Sequence, residues 1–289
     1  MKLSRLIIPF SAAALILIAG CNKEPVTVAT SPDGVKIHFS NQGQGQPAIV
    51  LVHGWTNSRA IWDEQVPEFA HRYQVVAVDL AGHGESGDNR SDWTMTAFGQ
   101  DIAAVVRTLK LKKVILVGFS MGGPAVLEAA KLLPDQLEGV ILVDAINNPE
   151  TQYPPEMVHW IDSAFMDLIA NPTMNKLVNY GFFVNNPEEQ FKKVQAMLET
   201  PRAQWEEILL EDLRWENEDC KAALGALKVP LIAINGDHTP TDVEAFRKYA
   251  PSFDLKTISG TGHVLMWDAT EEFNDLLAKS IHEINKDEI

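Results

Sequence analysis

Cysteine is scarce in this chain: two among 289 residues, Cys21 and Cys220. A disulfide-built scaffold is thereby excluded, and stability must come from a buried core, which this length can supply. Positive charge is also in short supply, with 24 Lys and Arg against 39 Asp and Glu and a net charge of −15. No Lys/Arg cluster offsets that balance, so a phosphate backbone would find no basic surface and nucleic acid is excluded as a partner. The acidic excess reads as a solubility feature. Repeats and low-complexity tracts are missing, and the apolar and charged fractions, 46% and 22%, are those of a globular chain. Long hydrophobic runs are missing too; the apolar stretch at residues 6–18 is interrupted by Pro9 and Ser11 and is short for a membrane span.

That stretch has the surroundings of a secretory signal peptide, with Lys2 and Arg5 before it and Ala19-Gly20 after it. The run Leu17-Ile18-Ala19-Gly20-Cys21 resembles the bacterial lipobox, in which cleavage precedes the cysteine and the thiol is acylated. The resemblance implies a signal peptide over 1–20, a lipidated tether over 21–25 with a palmitate-type chain on Cys21, and a lipoprotein. Such a protein is anchored to a membrane of the bacterial cell envelope and faces the periplasm or exterior. A lipid on Cys21 leaves no intramolecular disulfide. Cys220 lies in an acidic, helix-like stretch that disfavours thiolate and reads as a packed thiol.

Beyond the tether, residues 26–30 and 35–39 alternate in hydrophobicity around Ser31-Pro32-Asp33-Gly34 and predict an antiparallel hairpin. Six short runs follow, at 48–52, 74–78, 113–117, 140–143, 230–234 and 254–258. Their near-continuous apolarity predicts strands buried on both faces, as in a parallel sheet. Amphipathic segments separate most of them: 58–71, 94–109 with Ser91 as a candidate N-cap, 124–133, and 271–284. Strand alternating with helix predicts an α/β sheet, mostly parallel and doubly wound, with its chemistry at the carboxyl ends of the strands. The interval 147–227 breaks the alternation. It is rich in aromatic and Met residues, from Trp160 to Trp215, and carries three helical segments at 156–170, 188–200 and 203–215. It reads as a helical cap inserted between core segments 26–146 and 228–289, with a few of its apolar side chains facing the site.

The sharpest local signal is Gly118-Phe119-Ser120-Met121-Gly122, directly after the strand at 113–117 and before a helix. Glycines two residues either side allow a tight strand-to-helix turn with Ser120 at its apex, where a hydroxyl can act as nucleophile if a base takes its proton. His263 is the candidate base, presented after the last strand by Ser259-Gly260-Thr261-Gly262. The other histidines weighed, His38, His71, His159 and His282, fall on the hairpin or on predicted helices. For the acid that orients the imidazole, Asp237 lies nearest a strand end in Asn235-Gly236-Asp237-His238 and is the leading candidate. Asp144, ending the strand at 140–143, and Asp242, which can cap a helix at 243–249, are the other possibilities. The oxyanion donors are expected from the backbone N–H of Met121, at a helix N-terminus, and of Trp55, after Gly54. His53 reads as a loop brace, and Asp79 to Gly87 as a structural glycine turn, since no third ligand at useful spacing suggests metal.

Together, His53-Gly54-Trp55, the turn after Asp79, Gly118 to Gly123, Asp237 and Gly262-His263 resemble the α/β-hydrolase superfamily from residue 26 to the C-terminus. The resemblance carries nucleophile, acid and base onto Ser120, Asp237 and His263, in the superfamily's order. Two features depart from it: Phe119 stands where many relatives have histidine, and Asp237 follows Gly236 directly, where relatives often have a spacer. The implied activity is hydrolysis of a small to medium carboxylic ester through an acyl-enzyme, with no cofactor and no metal. Thioester, lactone or C–C hydrolysis, aminopeptidase action and cofactor-free perhydrolysis share the triad. A catalytically silent envelope lipoprotein acting as a binding module is the alternative of another class.

Overall fold

The computed structural model describes residues 27–198 and 202–286. The expected signal peptide over 1–20, the expected tether over 21–25 with Cys21, and residue 26 lie outside the described residues. Eight strands form one sheet: β1 Val28–Thr30, β2 Lys36–Gln42, β3 Ala48–Val52, β4 Val75–Val78, β5 Val114–Phe119, β6 Leu137–Val143, β7 Leu231–Gly236 and β8 Phe253–Ile258. Their order is β1-β2-β4-β3-β5-β6-β7-β8. β1 with β2 and β2 with β4 are antiparallel, and every other pair is parallel.

The continuous apolar runs are explained by a division of labour between the two faces. In β3, Ala48, Val50 and Val52 join one core layer, while Ile49 and Leu51 join the other. β5 splits the same way, Val114 and Leu116 against Ile115, Val117 and Phe119. Each such side chain contributes about 1.5–3 kcal/mol on burial, so neither face can carry polar residues.

The helices flanking the sheet are α1 Gln65–Ala70, α2 Met95–Thr108 and α3 Gly122–Leu132. Between β6 and β7 lie α4 Pro155–Ala170, α5 Met174–Asn179, α6 Pro187–Leu198, α7 Trp205–Glu218 and α8 Cys220–Ala226. The chain closes with α9 Val243–Tyr249, α10 Leu265–Asp268 and α11 Thr270–Lys286. The helix expected over 58–71 is two pieces, a 3-10 turn Arg59–Trp62 and then α1. Pro67 accounts for the break, because in one continuous helix its ring would clash with the carbonyl of Asp63. The N-cap of α2 is Thr94 and not Ser91, its hydroxyl accepting from the Ala97 amide at 3.2 Å.

The strand order also locates the site. After β3 the chain moves outward to β4, then returns to lay β5 on the other side of β3. Loops leaving β3 and β5 therefore diverge to opposite faces and open a crevice at their carboxyl ends. Gly54 follows β3 and Ser120 follows β5, so both stand at that crevice.

Candidate active site

Ser120 follows β5 with φ of +52°, the left-handed region that costs a non-glycine residue roughly 1–2 kcal/mol. The turn is held by the Ser120 amide on the Val143 carbonyl at 3.0 Å and the Gly123 amide on the Ser120 carbonyl at 2.7 Å. A Cβ on Gly118 would run into the Gly122 carbonyl, and one on Gly122 would lie 2.7 Å from the carbonyls of Val52 and His53. The two glycines are thus steric requirements of the turn. A Cβ on Gly54 would come within 2.9 Å of the Ser120 Cβ, so the β3 loop lies directly against the serine.

The structure brings His263 to Ser120. The serine hydroxyl donates to His263 Nε2 at 3.0 Å, and His263 Nδ1–H donates to Asp144 Oδ2 at 2.6 Å. A carboxylate only accepts, which sets the tautomer. Asp144 is 3% exposed and follows β6 with φ of +42°; its Oδ1 accepts from the Gly236 amide at 3.1 Å. The leading candidate for the acid, Asp237, does not take this place. It is exposed and accepts from the Gly260 amide at 2.9 Å, a bond that holds its carboxyl below the usual range. The reason lies in the register. Phe119 of β5 pairs with Val143 of β6, so Ser120 and Asp144 leave adjacent parallel strands side by side. Asp242 caps α9 through the Ala245 amide at 2.9 Å.

His53 is fully buried and braces the loop: Nε2 accepts from the Leu80 amide at 3.1 Å and Nδ1–H donates to the Gly54 carbonyl at 2.7 Å. Burial lowers its pKa, consistent with a neutral ring. Asp79 ties its glycine turn by accepting from the amides of Arg59 (2.7 Å) and Glu85 (3.0 Å) and pairing with the Arg59 guanidinium. Met121 is the N-cap of α3, and the Trp55 indole donates to the Trp205 carbonyl at 2.8 Å, tying the β3 loop to α7.

Two residues at the site carry no motif in the sequence. Asp268 accepts from the amides of Gly262 (2.6 Å), Val184 (2.9 Å) and Asn185 (2.9 Å) and from Gln190 Nε2 (2.7 Å). It thereby fastens the His263 loop to the interval between β6 and β7. His238 Nε2 stands 3.4 Å from Asp144 Oδ2, the same oxygen that accepts from His263. Asp144, His238 and His263 form the one grouping with metal-ligand spacing among the described residues. A cation there would take the carboxylate and imidazole that hold Ser120, so the set does not fit a metal and a working serine together.

A cavity of about 380 Å³ opens over Ser120 and His263. From the aromatic- and Met-rich interval, Phe165, Tyr180, Phe182 and Met197 line it. Phe183 and Trp215 are buried, and Trp160 is 63% exposed. A second groove, of about 540 Å³, opens alongside past Lys193 and Arg202 without touching Ser120 or His263.

The sequence profile of the alpha/beta hydrolase family matches residues 49–276. An AB hydrolase superfamily protein of Bacillus subtilis, YisY, is 26% identical over 258 residues, which cover 85% of this chain and 95% of that protein. A non-heme haloperoxidase of Rhodococcus erythropolis is 30% identical over 233 residues, covering 72% and 80%. Among solved structures, a thermophilic esterase from Thermogutta terrifontis superposes with a TM-score of 0.73 at 24% identity, over 89% of this chain and 98% of that one. An esterase from Exiguobacterium antarcticum gives 0.75 at 22%, over 89% and 99%. At these identities the two structures show a shared fold.

Proposed function

Because the chain belongs to the alpha/beta hydrolase family, we propose that it cleaves a small to medium carboxylic ester through an acyl-enzyme on Ser120. The observation that carries this reading is the hydrogen-bonded line from Ser120 through His263 to Asp144. His263 Nε2 takes the hydroxyl proton as Oγ attacks the carbonyl carbon. Asp144 holds the ring in the required tautomer and stabilises the imidazolium that forms. The N–H groups of Trp55 and Met121 receive the oxyanion; the contact of Gly54 with Ser120 and the start of α3 at Met121 support that placement. His263 then gives its proton to the leaving alcohol, and a water molecule repeats the cycle, releasing the acid. A cavity whose lining is apolar over much of its area suits the methylene chain of an acyl group.

Ser120→Ala tests the reading: release of 4-nitrophenol from its butyrate ester should fall by about 10⁴-fold or more. Turnover at the wild-type rate would overturn it. The haloperoxidase relative favours a second reaction on the same acyl-enzyme, in which hydrogen peroxide replaces water and leaves a peracid. Peracid formation from acetate and peroxide, lost in Ser120→Ala, is its test. The reading extends to an exported lipoprotein held at a bacterial envelope membrane through Cys21, supported by the arrangement of residues 2–21. Metabolic labelling with an alkyne fatty acid should mark the protein and fail in Cys21→Ala.

A further inference from the structure

The cavity over Ser120 has one wall unlike the others. Most of it is apolar, but the face of α7 turned toward it presents Leu209, Asp212, Leu213 and Glu216, so two carboxyls sit one helical turn apart. Asp212 is half-buried and lines the cavity. Its Oδ1 is inaccessible and has no hydrogen-bond partner among the described residues. Glu216 accepts one bond, from the Tyr153 hydroxyl at 3.0 Å. Among the described residues no Lys or Arg pairs with either acid; the nearest arginine on the helix, Arg214, is spent on Glu211, Glu218 and Asp219.

Such a pair contributes little to folding, because ionising either carboxyl there without a positive partner is costly. Burial pushes the Glu216 carboxyl up to about 7. Burial and then the charge of Glu216 hold Asp212 well above the carboxylate range. The groups facing the pair are Tyr153, the Cys220 thiol and Glu211, none of which supplies a positive charge. The Asp212 carboxyl lines a substrate cavity with no donor from the described residues on it, so a donor there can arrive with the substrate.

We propose that Asp212 and Glu216 form a subsite for a protonated amine, and that the preferred substrates are esters whose acyl chain ends in an ammonium group. An ammonium brings three donors and the missing positive charge into one place, where a hydroxyl brings one donor and none of the charge. The strongly acidic chain, at −15, also draws cations toward its surface. The proposal rests on the serine-hydrolase reading above and adds the substrate's class.

The experiment compares 4-nitrophenyl 6-aminohexanoate with 4-nitrophenyl heptanoate, matched in length, at pH 8, where the amine is charged and Glu216 has lost its proton. The ratio of their kcat/KM values should fall by about tenfold or more in Asp212→Asn and in Glu216→Gln, the scale expected when a buried hydrogen-bonding site loses its match. The heptanoate should react faster in both variants, because an unpaired acid has left an apolar cavity. Glu206→Gln, which removes the same charge from the exposed side of α7, should leave the ratio as it is. An unchanged ratio in both cavity variants, with activity still dependent on Ser120, overturns the subsite alone. Equal preference for 4-nitrophenyl 6-hydroxyhexanoate overturns the cationic assignment. Full activity on both esters in Ser120→Ala overturns the underlying reading.

Discussion

The sheet and the helices between β6 and β7 are built to different standards. Every residue of β3, β4, β5 and β7 is buried, whereas of the sixteen residues of α4 only Leu168 is. The buried region carries Ser120 and Asp144 at the ends of adjacent strands; the looser one supplies much of the cavity wall. Reacting groups must be held to fractions of an ångström, which close packing provides. Walls that select among substrates can change shape at little cost to the fold. The difference separates chemistry from choice within one hydrolase.

The largest effect should fall on the sheet side. Asp144→Asn should lower kcat on 4-nitrophenyl butyrate by about 10⁴-fold, by leaving His263 in the wrong tautomer, while Asp237→Asn should stay within about twofold. The reverse result would return the acid to Asp237. Next comes stability. Leu116→Ala should cost about 2–5 kcal/mol in urea unfolding. Ile161→Ala, half-buried and lining the cavity, should cost about 1 kcal/mol and shift the preferred acyl length. Equal losses would erase the contrast between the two regions.

A smaller effect concerns pH. Glu216 sits at about 7 in the fold against an ordinary 4.5, so the folded state binds its proton more tightly. The stability it allows is complete below 4.5 and is lost as pH rises toward 7, on the order of 2–3 kcal/mol. Glu216→Gln should flatten that decline, seen as a smaller drop in Tm between pH 5 and pH 8; parallel curves would contradict it. Smallest is Asp268→Asn, which weakens the acceptor shared by Gly262, Val184 and Asn185. It should lower kcat by about tenfold through a looser His263 loop, with KM little changed; a loss in KM alone would assign Asp268 to the cavity wall.

All eight strands were legible in the sequence, β3 to β7 because burial on both faces leaves a nearly uninterrupted apolar run, and the β1–β2 hairpin from alternation around its turn. Ser120 and His263 were legible for a related reason: glycines at fixed offsets mark where the backbone must turn. The acid was not. Its identity depends on which strand ends beside Ser120, and the pairing of Phe119 with Val143 is a property of the sheet and of no local pattern. Asp268 was invisible on the same ground, since its partners come from positions 184, 185, 190 and 262. The acids at 212 and 216 are one turn apart on a helix with many charges, and only the cavity distinguishes them from solvent-facing neighbours.

The amides of His263 and Val264 donate to the carbonyls of Gly181 and Phe182, at 2.7 and 2.8 Å, and a Cβ on Gly262 would strike the Gly181 carbonyl. The His263 imidazole thus leans on the segment between α5 and α6 as well as on its own strand. Exchanging everything between β6 and β7 for a relative's helices would remove that rest. A viable chimera would have to keep residues 181–185 with the recipient and graft the helices on either side of them.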